Sequence, residues 1–336
     1  MTIADRLRAI LPDPEPASGG TPPGPGEARR LSLALQGGGS LGAFAWGVLD
    51  ALLEHGVRFD AVSGSSAGAV NAVLLASGLA NGGRDRAREL LERFWRHASE
   101  AASMQFVSSM FSWSGPPMSP YQFNPLDISP LRSLLRTEVD FDMLRQRSPI
   151  RLLIGATRVV DGRLRIFRES ELTAEAIMAS ACLPSMSQAV EIDGEAYWDG
   201  GFSANPPLIP LVQATAVPDV LVVQIIPTQA PALPRSSSDI ARRVAQITFN
   251  ASLLRDLDTL ASLTDVGRAP LPALFRKLDK SARLRLHRLS AEDHVAALAS
   301  ASATDLDWRF LCGLRDAGRA AANTWLGTSS TTSDAA

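Results

Sequence analysis

The sequence predicts an α/β fold built on a mostly parallel sheet, and three observations carry that prediction. Short apolar strands alternate with helical segments through the first half of the chain, the strand-to-helix turns are rich in glycine, and one strand is apolar at nearly every position. The first unit is LSLALQ, Leu31 to Gln36, followed by a glycine run and a helix from Ser40 to about Glu54. The second is RFDAVSG, feeding a helix from Ser66 to about Leu79. DRARELLERFWRHA follows as a charged helix, with Leu90, Leu91, Phe94 and Trp95 at helical spacing. Further strands fall at IRLLIGAT (Ile150 to Thr157), at LRIF and at DVLVVQIIP (Asp219 to Pro227), the last suited to burial on both faces. VEIDGEAYW reads as a hairpin turning at Asp193 and Gly194. From about Ser236, two long segments carry apolar residues every three or four positions and are expected to be helical. No repeat or linker divides these parts. Residues 29–326 therefore read as one domain, with a core over 31–227 and a helical C-terminal part over 236–326. Residues 1–28, rich in proline and glycine, and the tail 327–336 are expected to be disordered.

A chain of 336 residues with a net charge of -2 has no global basic field, which argues against nucleic acid as the main partner. Cys182 and Cys312 lie far apart without metal-binding spacing, so neither a disulfide framework nor a zinc site is expected. The N-terminal residues lack the uninterrupted apolar run of a signal peptide, and no stretch reaches the roughly 18 apolar residues of a membrane span. These features predict a cytoplasmic protein with no metal and no cofactor, in contact with membranes only peripherally.

Three segments carry chemistry. In VSGSSAGAVNA only Ser66 has glycine two residues before it, Gly64, and two after it, Gly68. That is the frame of a nucleophile elbow, where the strand-to-helix turn leaves no room for side chains. The pentapeptide alone fits an N-capping serine equally well. Ser63 and Ser65 fail the frame and read as capping or packing residues. In LQGGGSLG, the backbone amides of Gly37, Gly38 and Gly39 can face an anion, either as an oxyanion hole or as a phosphate cradle. Gly37, Gly39 and Gly42 fit GxGxxG with Asp60 downstream. A nucleotide site would nonetheless leave the serine elbow on the next strand unexplained, and one crevice holding both loops suits acyl transfer better. In YWDGGFSANPPL, Asp199 precedes two glycines, and turn formation alone accounts for most such sequences. It stands out because none of the four histidines, His55, His97, His287 and His294, lies in a comparable setting.

The GGGxxG loop, the GxSxG elbow and the DGG motif, in that order, resemble the patatin-like phospholipases, particularly the bacterial branch. The resemblance covers residues 31–227 and extends to NPLDISPL, ASACLP and DGGFSANPPL. It implies a three-layer α/β/α sandwich and a Ser-Asp dyad without histidine. By that resemblance Ser66 is the nucleophile, Asp199 the base, and the amides of Gly37 to Gly39 the oxyanion hole. Two positions depart from it: Leu41 stands where many members carry Arg or Lys, and Gln36 where Asp is common. Loss of that cation weakens the case for an anionic head group more than the case for ester hydrolysis.

The substrate expected is a phospholipid or related lipid ester. Met104, Phe106, Met110, Phe111 and Trp113 are candidates for an acyl pocket or interfacial lid, with a loop packed back on the core as the alternative. Residues 235–290 hold eleven Arg and Lys against five Asp and Glu, either meeting anionic lipid or forming a solvated face. Cys182 reads as a small buried residue, not a nucleophile. The same dyad also fits a carboxylesterase, thioesterase or polyester depolymerase, and the scaffold alone would fit a non-catalytic lipid-binding protein.

Overall fold

The computed structural model describes residues 29–109, 119–127, 129–265, 284–295 and 298–331. The sheet's first strand, β1 (Arg30–Leu35), alternates its side chains between two cores. Leu31, Leu33 and Leu35 enter the larger one and Ala34 the smaller. β7 (Asp219–Gln224) divides in the same way, Leu221 and Val223 against Val220 and Val222. A strand buried on both faces explains the unbroken apolar run in its sequence. The result is three layers, helix, sheet, helix, as expected.

Among the described residues eight strands form the sheet, in the order β5 (Val190–Ile192), β6 (Glu195–Asp199), β3 (Arg151–Arg158), β2 (Arg58–Gly64), β1, β7, β8 (Arg285–Ser290), with β4 (Leu164–Arg168) also paired to β3. β1 pairs in parallel with β2 (Arg58–Gly64) and β7, and β2 pairs in parallel with β3 (Arg151–Arg158). β5 (Val190–Ile192) and β6 (Glu195–Asp199) form the expected hairpin, whose turn residues Asp193 and Gly194 have φ of 52° and 80°. Positive φ at both central positions marks the tight turn that matches strand twist.

One outer layer holds α1 (Gly42–Glu54) and the helical run α2 (Ala67–Ser109). α2 is broken at Gly82–Gly83, where the sequence separates the elbow helix from the charged one; Gly83 has φ of 77°. Shorter helices follow as α3 (Pro120–Phe123), α4 (Pro130–Glu138), α5 (Phe141–Arg147) and α6 (Ala174–Ser180), each started by a Ser, Thr or Asp cap. The opposite layer is built from α7 (Leu208–Ala214) and α8 (Ser237–Asp265), whose Leu211, Leu253, Leu257 and Leu260 fill the smaller core. The last helix, α9 (Trp308–Thr331), crosses α1 closely: a Cβ at Gly47 would overlap the Arg315 carbonyl, and one at Gly318 the Phe44 carbonyl.

Two features of the C-terminal part differ from the sequence reading. It is not wholly helical, because β8 (Arg285–Ser290) adds a parallel edge strand to β7. The segment RLHRLS has too few apolar residues to announce a strand, and it is held instead by the exposed ladder of β7. α9 also continues to Thr331, past Gly327. Among the described residues no helix is long and apolar enough to cross a membrane.

Candidate active site

Strand register assembles the site before any side chain is considered. Leu35 of β1 pairs with Gly64 of β2, Gly64 with Ile154 of β3, and Ala156, two residues further along β3, with Asp199 of β6. Two residues past Leu35 is Gly37, and two past Gly64 is Ser66. Gly37, Ser66 and Asp199 thus fall in one row, at the carboxyl ends of the parallel strands where an open α/β sheet forms its crevice.

The elbow is strained as a nucleophile turn requires. Ser66 has φ of 55°, one of three non-glycine residues with positive φ among those described. Its amide is held by Ser180, both carbonyl and hydroxyl oxygen at 3.1 Å, and the Ser180 hydroxyl donates to the Gly155 carbonyl at 2.6 Å. The glycine frame is steric. A Cβ on Gly64 would come within 2.8 Å of Ala69 N, and one on Gly68 would overlap the Leu35 carbonyl. Ser65 Oγ donates to the Ala204 carbonyl at 2.6 Å, and a Cβ on either Gly155 or Gly200 would lie 2.8 Å from that Oγ. Ser65 therefore wedges the elbow against the turn that follows Asp199. Ser63 is buried in the strand.

Asp199 is fully buried and its backbone is fixed on both sides. Its amide donates to the Cys182 carbonyl at 2.8 Å, and its carbonyl accepts from the Thr157 hydroxyl at 2.8 Å. Oδ1 accepts from the Gly201 amide at 2.7 Å, while Oδ2 has no hydrogen-bond partner. Burial pushes the carboxyl up to about 7; the Gly201 amide and the nearby Ser66 hydroxyl act in the opposite direction without cancelling it. The Ser66 hydroxyl is close enough to influence the carboxyl but is not in hydrogen-bond geometry with Oδ2.

The histidines are engaged elsewhere: His55 with Asn323 at 3.0 Å, His97 with Glu138 at 3.0 Å, His287 with Asp219 at 2.7 Å, and His294 stacked on Phe44. The His287–Asp219 pair resembles part of a triad but sits at the start of β7, the sheet end opposite the elbow. It is an ion-paired clasp with Arg285, which holds Asp219 well below the ordinary carboxylate range against the opposing effect of burial.

Of the three amides expected to face an oxyanion, that of Gly37 is donated to Asn205 Oδ1 at 2.7 Å. The amides of Gly38 and Gly39 make no hydrogen bond among the described residues, and these glycines are half-buried and exposed respectively. Gly39 has φ of 58° and its Cβ would overlap the Ala303 carbonyl, so only glycine fits. Gln36 does what an acceptor is needed for here: its Oε1 takes the amides of Ile225 and Ile226 at 2.8 and 2.9 Å, and its Nε2 donates to Asn250 at 2.9 Å. Leu41 is buried in the larger core. Cys182 is also buried, which pushes its thiol up to about 12 with help from the Asp199 charge, far from a reactive thiolate.

Met110, Phe111 and Trp113 lie outside the described residues, as do the side chains of Met104 and Phe106 near the end of α2. In the basic segment, Arg242 pairs with Asp239, Arg243 donates to the Thr228 carbonyl and Arg285 pairs with Asp219. Its residues 266–283 lie outside the described part. Sequence reasoning assigned no role to Gly155, Ser180 or Asn205. A glycine inside the apolar strand IRLLIGAT is the signal for Gly155, since it marks a close approach. Nothing local singles out Ser180.

The Gly37 contact gives a direct test of the loop. A Cβ there would overlap the Ser65 carbonyl and lie 2.6 Å from Ser66 Cβ. If the loop receives an oxyanion, Gly37→Ala lowers ester hydrolysis about 100-fold or more, and the overpacking destabilises the fold by about 1 to 3 kcal/mol. Kinetics on a p-nitrophenyl ester and a thermal melt measure both, and near-normal turnover would remove the loop from the site.

The family model for patatin-like phospholipase matches residues 33–212, more than half of the chain, from within β1 to within α7. Uncharacterized NTE family proteins of Mycobacterium bovis and of two Mycobacterium tuberculosis strains are 26% identical over 244 residues. These alignments take in 70% of this chain and 60% of each relative. Among solved structures, VipD from Legionella pneumophila aligns with a TM-score of 0.38 at 16% identity, covering 86% of this chain and 67% of that one. ExoU in its complex with SpcU from Pseudomonas aeruginosa aligns at 0.33 and 18%, covering 69% and 52%. At those scores the two structures add no argument. The family model alone is sufficient, and its span includes the glycine loop, the serine elbow and Asp199: the chain belongs to the patatin-like phospholipase family.

Proposed function

We propose that this protein is a serine lipid acyl hydrolase that cleaves carboxylic esters through an acyl-enzyme on Ser66, with Asp199 as base. The observation that carries the reading is a fully buried carboxyl with an unpartnered Oδ2, in one row with a serine at φ 55°. A carboxylate raised to about 7 is a far better base than one at 3.8. Oδ2 takes the Ser66 proton as Oγ bonds to the ester carbon, and the carbonyl electrons move onto oxygen facing the glycine amides. Collapse breaks the ester C–O bond, and the proton held by Asp199 goes to the leaving alkoxide. Water, activated by the same carboxylate, then releases the acid.

The substrate is a lipid ester, and the exposed surface supports a peripheral contact with lipid. Ile240, Val244 and Ile247 are exposed along one face of α8, continued by exposed Ala251, with Arg243 at its flank and Arg255 one turn further on. On the same helix Phe249 stacks edge-on with the partly exposed Phe202, three residues past Asp199. Buried Leu41 favours a second reading, a carboxylesterase or thioesterase with the same dyad acting on a neutral ester, because no cation is presented from that position. A fluorophosphonate label followed by a panel of phospholipid vesicles, with and without anionic lipid, p-nitrophenyl esters and acyl-CoAs decides between them. Labelling at Ser66 with fatty acid release from vesicles is expected. Labelling with turnover of neutral esters or acyl-CoAs only would replace the phospholipid reading, and no labelling of Ser66 would end the enzyme reading.

A further inference from the structure

The geometry points to Asn205 as the positioning residue of the oxyanion loop, an inference that rests on the serine hydrolase reading above. Asn205 is fully buried, and its side chain is shared between two distant parts of the chain. Oδ1 accepts the Gly37 amide at 2.7 Å, and Nδ2 donates to the Gly37 carbonyl at 3.1 Å and to the Phe249 carbonyl at 3.2 Å. Its own amide donates to Ser252 Oγ at 2.9 Å. One carboxamide thus clamps both polar groups of a single glycine and ties that glycine to α8.

The consequence follows from peptide planarity. The Gly37 carbonyl and the Gly38 N–H belong to the same trans peptide and point in opposite directions. Pulling the carbonyl toward Asn205 therefore turns the Gly38 N–H away from it, and that amide makes no hydrogen bond among the described residues. The clamp also engages the Gly37 N–H, so the amides left to receive an oxyanion are those of Gly38 and Gly39. A run of three glycines has little conformational preference of its own, and an external clamp supplies the orientation that the loop lacks. The neighbouring residue joins the same unit: the Ala204 carbonyl accepts the Ser65 hydroxyl at 2.6 Å. Residues 204 and 205 therefore hold the elbow and the oxyanion loop in one frame, five and six residues after the base.

The test compares Asn205→Ala with the wild-type chain on a short p-nitrophenyl ester, with active sites titrated by the fluorophosphonate. Expected is a fall in kcat of about 10- to 100-fold per titrated site, with KM within about twofold, because only the transition state uses the aimed amide. Binding of an alkyl boronic acid, whose adduct with Ser66 places an oxygen in the same hole, should weaken by a similar factor. The acid limb of the pH profile should stay in place. Should Asn205→Ala not fold, Ser252→Ala removes only the anchor of the Asn205 backbone and is expected to lower kcat about 3- to 10-fold with KM unchanged. A folded variant with wild-type kcat and wild-type boronate affinity per site overturns the inference while Ser66→Ala remains inactive. Activity persisting in Ser66→Ala would instead overturn the hydrolase reading together with it.

Discussion

Ser66→Ala is expected to abolish ester hydrolysis, lowering kcat by on the order of 10⁴ or more, because no other group on the row can form the acyl bond. Its neighbours are ill placed to compensate. Ser65 Oγ is bound to the Ala204 carbonyl and Cys182 is a buried thiol. Ser66 sits at φ 55°, a conformation that alanine tolerates no better than serine, so the change tests chemistry and leaves the turn's strain in place. Titration with a fluorophosphonate and hydrolysis of a p-nitrophenyl ester should both fall to background while the thermal melt moves little. Turnover within tenfold of wild type would assign the nucleophile elsewhere.

Asp199→Asn is expected to cost about 10³- to 10⁴-fold in kcat and to stabilise the fold at neutral pH. Both effects come from one cause. Burial raises the Asp199 carboxyl from 3.8 to about 7, so the folded protein favours its protonated form. The stability this form confers is complete below about pH 4, declines as pH rises through the interval to about 7, and is absent above it. The proposed mechanism has the opposite requirement, since in it only the carboxylate takes the Ser66 proton. In the wild-type chain kcat/KM should therefore rise with pH along a single ionisation near 7. The Asn variant, with nothing to ionise there, should exceed wild type in stability at pH 8 by an amount on the order of a few kcal/mol, the gap closing toward pH 4. Urea melts at pH 5, 7 and 8 and a pH-rate profile measure the two sides. Equal stability at every pH with full activity in the variant would show that Asp199 is a turn residue only.

The elements that were legible in the sequence are those whose local pattern agrees with their final burial. LSLAL and RFDAVSG combine apolar strands with glycine turns, and β2 falls at Arg58–Gly64 as read. The Asp193-Gly194 hairpin was legible for the same reason, since that dipeptide has few other uses between alternating strands. β8 was not, because RLHRLS acquires its strand geometry from the unpaired edge of β7 and not from its own composition. The short helices between Pro120 and Arg147 carry capping residues too common to be diagnostic alone. Within the site, the glycine frame marked Ser66 because steric exclusion is a property of single residues. Asn205 had no such mark, because its role is set by partners 168 and 44 residues away.

Local sequence pattern is enough for the sheet's parallel core and the two glycine-framed turns, and it marks Ser66 among three serines, and Asp199 for want of a well-placed histidine, as the candidates for the proposed dyad. The tertiary structure alone decided that Gly37, Ser66 and Asp199 share a row, because register is fixed by which strands pair and no strand encodes its partner. It decided as well that Asp199 is buried with one oxygen unpartnered, since desolvation is imposed by the surrounding layers and not by the residue. And it decided that the Gly37 amide is engaged, because that N–H donates to Asn205, 168 residues away, which leaves the Gly38 and Gly39 amides for the proposed oxyanion.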